Sequence, residues 1–227
     1  MKPLLLFLFF LLLFPGRILA FTTGNCHCFR HRNYDPQNTF AADDYLLTTG
    51  YNSLIAHVFG ISKGTIIMKK MKGGINGDDL VIGLYIHKKT GKPLDLLLSV
   101  RDNGGSWQQI LAAARDGKAG NNDPILTAVA TGKCSAAVQQ MISDFMLKSR
   151  YSCPQATISG LRSSGFTEKK INLLLALREE TGAPLKKLET MITERKMSWS
   201  EAAHHFRLTP RDVGEHILSG RHEITFY

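Results

Sequence analysis

A stretch that occurs twice constrains the fold of this chain more than any other feature. Residues 62–107 align with residues 153–199 at an offset of 91 positions, with one extra residue near the end of the second copy. The coincident positions suit helix ends, helix starts and core anchors, and they include Gly91 and Gly182, Pro93 and Pro184, and Trp107 and Trp199. No catalytic residue set repeats with them. We therefore predict two related modules.

The repeated stretch predicts α-helices, because its apolar residues recur at helical spacing and do not alternate as in a strand. The two glycines fit left-handed helix ends, where a Cβ would clash. The two prolines fit the start of the next helix, since the N–H they lack has no partner there. We predict an all-α fold of ten or eleven short helices without a sheet. The two tryptophans are expected in the core and not as an aromatic ligand platform.

The first residues have the features of a secretory signal peptide. Lys2 gives a positive start, an unbroken apolar run follows, and Ala20 offers a small residue at a cleavage site. We expect the mature chain to be periplasmic or secreted, with no transmembrane segment after cleavage. The predicted organisation is a signal peptide at 1–20, an irregular cysteine-containing arm at 21–40, a first helical module at 41–116, a linker at 117–123, a second helical module at 124–220, and a tail at 221–227.

Export changes the interpretation of the four cysteines, Cys26, Cys28, Cys134 and Cys153. An even number of cysteines in an oxidising compartment predicts two disulfides. Cys26 and Cys28 are too close in sequence to pair with each other without strain. We expect two crosslinks from this N-terminal pair to Cys134 and Cys153, with the connectivity left open.

The alternative for the arm is a metal- or thiol-active site. Thiolates and imidazoles are dense there, at Cys26, His27, Cys28 and His31, and such groups bind zinc or copper. The Cys-x-Cys spacing is not that of a zinc knuckle, so disulfides remain the first expectation.

A helix-turn-helix is a further alternative, at residues 198–218. In that arrangement Arg207, Arg211 and His216 would face phosphates. Export would remove the protein from the chromosome, and the similar helix that begins at residue 106 lacks a comparable second helix. We therefore do not expect nucleic acid as a partner.

Neither the composition nor the motifs of the sequence indicate an enzyme. Hydrophobic residues make up 44% and charged residues 21% of the chain, as in ordinary globular proteins. The formal net charge of +9 favours attraction to anionic surfaces. Common catalytic and nucleotide-binding motifs are absent, and the adjacent carboxylates at 43–44, 78–79 and 179–180 suit helix starts or solvated faces. We expect no enzyme and no cofactor, and a partner that is an unknown protein or an anionic envelope polymer.

The arm sequence CHCFRHRNYDP, the TG-x-P-L stop and restart, and the SW helix start together resemble an uncharacterised group of exported all-helical bacterial proteins. The resemblance covers residues 26–111 best and 165–206 more loosely. It implies compartment and fold class, and no activity or ligand.

Overall fold

The computed structural model describes residues 32–115 and 122–220 together with Phe226. Over these residues the chain is all-α, as predicted, and contains twelve helices and no strand. The helices are α1 Asp43–Phe59, α2 Lys63–Lys72, α3 Gly77–Thr90, α4 Leu94–Asp102, α5 Trp107–Ala114, α6 Pro124–Ala130, α7 Ser135–Tyr151, α8 Gln155–Ser163, α9 Glu168–Thr181, α10 Leu185–Thr193, α11 Trp199–His205 and α12 Pro210–Leu218.

The count exceeds the predicted ten or eleven because α8 has a weak sequence signal. Its sequence, QATISGLRS, is small and polar, and only Ile158 and Leu161 are buried. Two apolar positions three residues apart do not make a recognisable period over so short a helix.

Helix starts and stops follow the residues that suggested them. The Ser106 and Ser198 side chains each form a complete capping box, with Gln109 and Glu201 respectively. Gly91 and Gly182 end α3 and α9 in the left-handed conformation, with φ of 71° and 68°. These local signals fix where each helix begins and ends, and they are the same in both copies.

Each half of the structure contains six helices in the same order. The first helices, α1 and α7, each have 17 residues, and the third helices, α3 and α9, each have 14. The structural repeat therefore begins before the part that is clear in the sequence. Equivalent positions differ by 92 residues in α1, α2 and α5, and by 91 in α3 and α4.

The two halves interlock. Helix α1 of the first half packs most extensively on α12 and α9 of the second, and α7 packs most extensively on α3. Helices α1 and α7 meet where the Tyr51 hydroxyl and the Ser143 Oγ, which occupy equivalent positions, lie 2.9 Å apart. Because helices of each half pack against the core of the other, the described buried apolar residues other than Ala42 form one cluster.

Both repeat-matched tryptophans lie in this core, each 6% exposed. The Trp107 Nε1 donates to Asp79 Oδ1 at 2.7 Å. The Trp199 ring packs edge-on against Phe166 with ring centres 6.0 Å apart. Within the described ranges, no helix combines the length and the apolar character needed to cross a bilayer.

Candidate functional site

Aromatic and basic side chains meet where the start of α10 lies against the end of α11. The Lys187 Nζ is 5.9 Å from the centre of the Phe206 ring, and the His205 ring meets Phe206 edge-on at 5.0 Å. On the other side of α11, Tyr34 from the end of the arm stacks on His204 at 4.7 Å. We call this group, with Arg207, the α10–α11 surface: Tyr34, Lys187, His204, His205, Phe206 and Arg207.

The α10–α11 surface is open to solvent and carries positive charge without an acidic member. Lys187, both histidines and Arg207 are exposed, whereas Tyr34 and Phe206 are half-buried. Arg207 has φ of 60°, the left-handed region. That conformation costs a non-glycine residue about 1–2 kcal/mol. A basic side chain is therefore placed at a strained turn where glycine would have been easier.

The equivalent surface of the first half has different chemistry. Lys187, His204 and His205 are equivalent to Leu96, Ala112 and Ala113, which are exposed and uncharged. Since the same fold accepts aliphatic residues at these three positions, packing does not require the basic ones. The charge of the α10–α11 surface is therefore available for a partner.

Comparisons with protein-family models, curated proteins and solved structures found no match to this chain. The chemistry of the α10–α11 surface therefore rests on its own geometry. It offers exposed cations next to rings whose faces or edges remain partly accessible, an arrangement that suits anionic groups carried on a flat or ring-shaped scaffold.

The separation of Cys134 and Cys153 bears on the two predicted disulfides. Cys134 and Cys153 flank α7, and both are free thiols in the part of the chain that the structure describes. A helix of this length separates them by about 26 Å. Two disulfides joined through residues as close in sequence as Cys26 and Cys28 span at most roughly 21 Å. The two predicted crosslinks therefore cannot form together on this fold.

The alternative site of the arm, Cys26, His27, Cys28 and His31, lies outside the described residues, as do the signal peptide at 1–20 and linker residues 117–121. Across the ranges the structure does describe, no three His, Cys, Asp or Glu side chains are grouped to hold a metal ion. Burial raises the pKa of the Cys153 thiol, so the thiolate that would react is scarcer there than at an exposed cysteine.

The helix-turn-helix alternative requires α12 to present a basic exposed side, and the residues of α12 bear on that requirement. Val213 and Ile217 of α12 are buried against the core. The exposed side of α12 presents Asp212 and Glu215, and the latter holds Arg211 at 2.7 Å. Two carboxylates on the exposed side would repel phosphates. His216 is half-buried and contacts Glu179 and Glu180.

His216 instead belongs to a charged cluster that fastens the end of α12. Its Nε2 lies 3.0 Å from Glu179 Oε2, and its Nδ1 contacts Glu180. The fully buried Arg150 donates to Glu179 at 2.7 Å and to the carbonyl oxygens of residues 216 and 217. A cleft of about 440 Å³ lies beside the cluster. Since Arg150 caps the last turn of α12 and its donors have partners, we assign this cluster a structural role.

A second polar pair has a carboxylate in the second half and an amide in the first. In the second half Arg162 forms an ion pair with Asp144. At the equivalent positions of the first half, Lys70 Nζ donates to Asn52 Oδ1 at 2.8 Å. The geometry is retained but the carboxylate is replaced by an amide. Burial, and then the charge of Lys169, lower the pKa of Lys70 to about 8.

The remaining sequence candidates have local explanations. The Asp43 carboxylate accepts from the backbone N–H groups of Trp199 and Ser200 at 3.0 and 2.8 Å, which fixes the start of α11. Asp79 accepts from Trp107 and Arg101. The contact between Lys187 and Phe206 had no sequence signal, because the two residues lie on different helices with no shared period.

Proposed function

We propose that this chain is an exported, non-enzymatic helical interaction protein of the cell envelope that binds an anionic polymer through the α10–α11 surface. The observation that carries the proposal is the replacement of Leu96, Ala112 and Ala113 by Lys187, His204 and His205 on otherwise equivalent surfaces. A signal-peptide-like N-terminus and a net charge of +9 support an envelope location and an anionic partner.

The chemistry of the surface favours a polymer over a single small anion. Lys187 and Arg207 provide positive charges. The Phe206 ring contacts both Lys187 and His205. Repeating anionic units would contact several such groups together, and the avidity of linked contacts exceeds that of any single one. An open surface without a deep cavity also suits a chain-like partner.

The test is the affinity of the full chain for dextran sulfate, with neutral dextran as the reference polymer. We expect binding that weakens by about tenfold or more between roughly 50 and 200 mM salt, because bound counterions are released when charges pair. The variant Lys187→Leu/His204→Ala/His205→Ala carries the residues of the first half at the equivalent positions. It should bind about tenfold more weakly, because it lacks the Lys187 charge and both imidazoles of the surface.

The control is Lys88→Leu/Lys133→Leu, which removes two exposed lysines elsewhere on the surface and should bind as the unmodified chain does. Equal weakening in both variants, or no binding of dextran sulfate at low salt, contradicts the proposal. Tighter binding of duplex DNA than of dextran sulfate would favour the helix-turn-helix alternative. Export is tested by the intact mass of the protein from the extracytoplasmic fraction, which should match a chain that begins at Phe21.

A further inference from the structure

A groove of about 530 Å³ runs between α3, α6, α7 and the start of α8. Its floor is apolar, formed by Tyr85, Ile125, Met141 and Phe145. The Phe226 ring lies at one end, 5.4 Å from the Phe145 ring. A volume of this size with an apolar floor and a few polar groups at the rim is typical of sites for small molecules.

The equivalent place in the repeat lies between α12 and α1, and it is closed. Helix α12 lies against α1 so tightly that a Cβ on Gly214 would come within 3.2 Å of Ser53 Oγ and 3.3 Å of Thr49 Cγ2. The small side chains of Thr49 and Ser53 allow this approach. Nothing could enter between these two helices without unpacking them.

The groove is open because helices α6 and α7 depart from the packing of α12 on α1 in two ways. The positions equivalent to Thr49 and Ser53 hold Met141 and Phe145, which keep the next helix at a distance. Helix α6 is also shorter than its counterpart α12, with 7 residues against 9. The larger side chains and the shorter helix leave an apolar floor that no helix within residues 32–115 and 122–220 covers.

The rim of the groove selects for negative charge. Asp144 is neutralised by Arg162 and accepts a hydrogen bond from the Gln155 side-chain amide. Lys148 is exposed at the rim, and among the described residues no carboxylate lies within ion-pair distance of it. The equivalent position on α1 is Ala56, which is buried. The groove therefore combines an apolar floor with one uncompensated cation.

We propose that this groove binds an amphiphilic anion, with an acyl chain on Tyr85, Met141 and Phe145 and an anionic head group on Lys148. The free amphiphile and a membrane lipid share this chemistry. The groove lies on helices other than α10 and α11, so this proposal and the proposed function can fail independently.

The experiment measures binding of monomeric dodecanoate and of neutral dodecanol to the full chain by calorimetry. We expect dodecanoate to bind, and Lys148→Ala, which introduces the residue of the equivalent position, to weaken it about five- to tenfold. Dodecanol should bind equally to both proteins. Met141→Thr, which introduces the residue equivalent to Thr49, should weaken both ligands because it removes apolar floor area.

The charge-matched control is Lys133→Ala, whose dodecanoate affinity should not change. Transfer of labelled phosphatidylglycerol from vesicles to the protein, lost in Met141→Thr, would identify the lipid as the source of the ligand. Dodecanoate binding without such transfer would identify the free amphiphile. The proposal is overturned if neither ligand binds, or if Lys148→Ala and Lys133→Ala weaken dodecanoate equally.

Discussion

Single side chains decide how closely the helices of this protein approach one another. Gly50, in the middle of α1, is buried, and a Cβ there would meet Asn172 at 3.4 Å and Ile217 at 3.5 Å. Glycine in a helix interior usually reduces stability by about 1 kcal/mol relative to alanine. Both distances are ordinary van der Waals contacts, so the packing of α1 on α9 and α12 does not by itself require glycine at position 50.

Gly214→Ala should destabilise the protein, in spite of the better helix propensity of alanine. The new Cβ would lie within 3.2–3.3 Å of Lys63, Ser53 and Thr49, and overpacking of this kind costs about 1–3 kcal/mol. Chemical denaturation measures the change. The matched control is Gly160→Ala in α8, where the Cβ meets nothing within 4 Å. That variant should be neutral or more stable, and a loss of stability equal to that of Gly214→Ala would refute the packing argument.

The unneutralised amine of Lys70 should make stability depend on pH. Its pKa is lowered to about 8 in the folded state, whereas an unfolded lysine titrates near 10.4. The unfolded chain therefore binds more protons between these values, and the free energy of unfolding should rise, by about 1–2 kcal/mol between roughly pH 8 and 9.5. Urea titrations at a series of pH values measure it.

Two variants isolate this contribution from that of other groups. Lys70→Met should abolish the rise, because no amine remains to titrate. Asn52→Asp restores the carboxylate that Asp144 supplies in the second half and should move the Lys70 titration upward in an NMR experiment. A rise that is unchanged in Lys70→Met would show that another group causes it.

At the scale of elements, helix α7 is a rigid spacer between two cysteines. Because it separates Cys134 from Cys153 by about 26 Å, a monomer can contain at most one disulfide. Intact mass after alkylation of the denatured, unreduced protein should therefore show at least two modified cysteines. A monomer with no modified cysteine, which means two disulfides, would contradict the packing of α7.

The ends of helices could be predicted from the sequence where they are set by interactions between residues close in the chain. Ser106, Gly91 and Pro93 each determine a local hydrogen bond or a local backbone angle, and their effects appear where expected. Helix α8 and the contact between Lys187 and Phe206 were not readable. Both depend on which surfaces lie opposite them, and that information is spread over residues distant in the chain.

At the scale of the whole molecule, the halves cannot be treated as separate modules that happen to be linked. Helix α1 packs mainly on α9 and α12, and α7 packs mainly on α3. The buried Tyr51 hydroxyl, whose pKa burial raises beyond the usual range of tyrosine, is partnered only across the halves, by Ser143 and Gln139. Removing either half would expose apolar surface on the other.

Thermal unfolding should therefore occur in one cooperative transition. Calorimetry should give a van't Hoff enthalpy equal to the calorimetric enthalpy. Leu84→Ala, a core change confined to the first half, should lower hydrogen-exchange protection in α3 and in α9 alike. Two resolved transitions, or loss of protection in the first half alone, would mean that the halves fold independently.

The interlocked arrangement also has a consequence for how the chain is made. Synthesis proceeds from the N-terminus at roughly 5–20 residues per second, so the main packing partner of α1 emerges some ten to thirty seconds after α1 itself. During that interval Leu46, Leu54 and Ile55, all fully buried in the finished fold, lack the surface of α12, on which α1 packs most extensively. A nascent first half is thus an intermediate with exposed apolar surface. It must be protected from aggregation until the last helix has been synthesised.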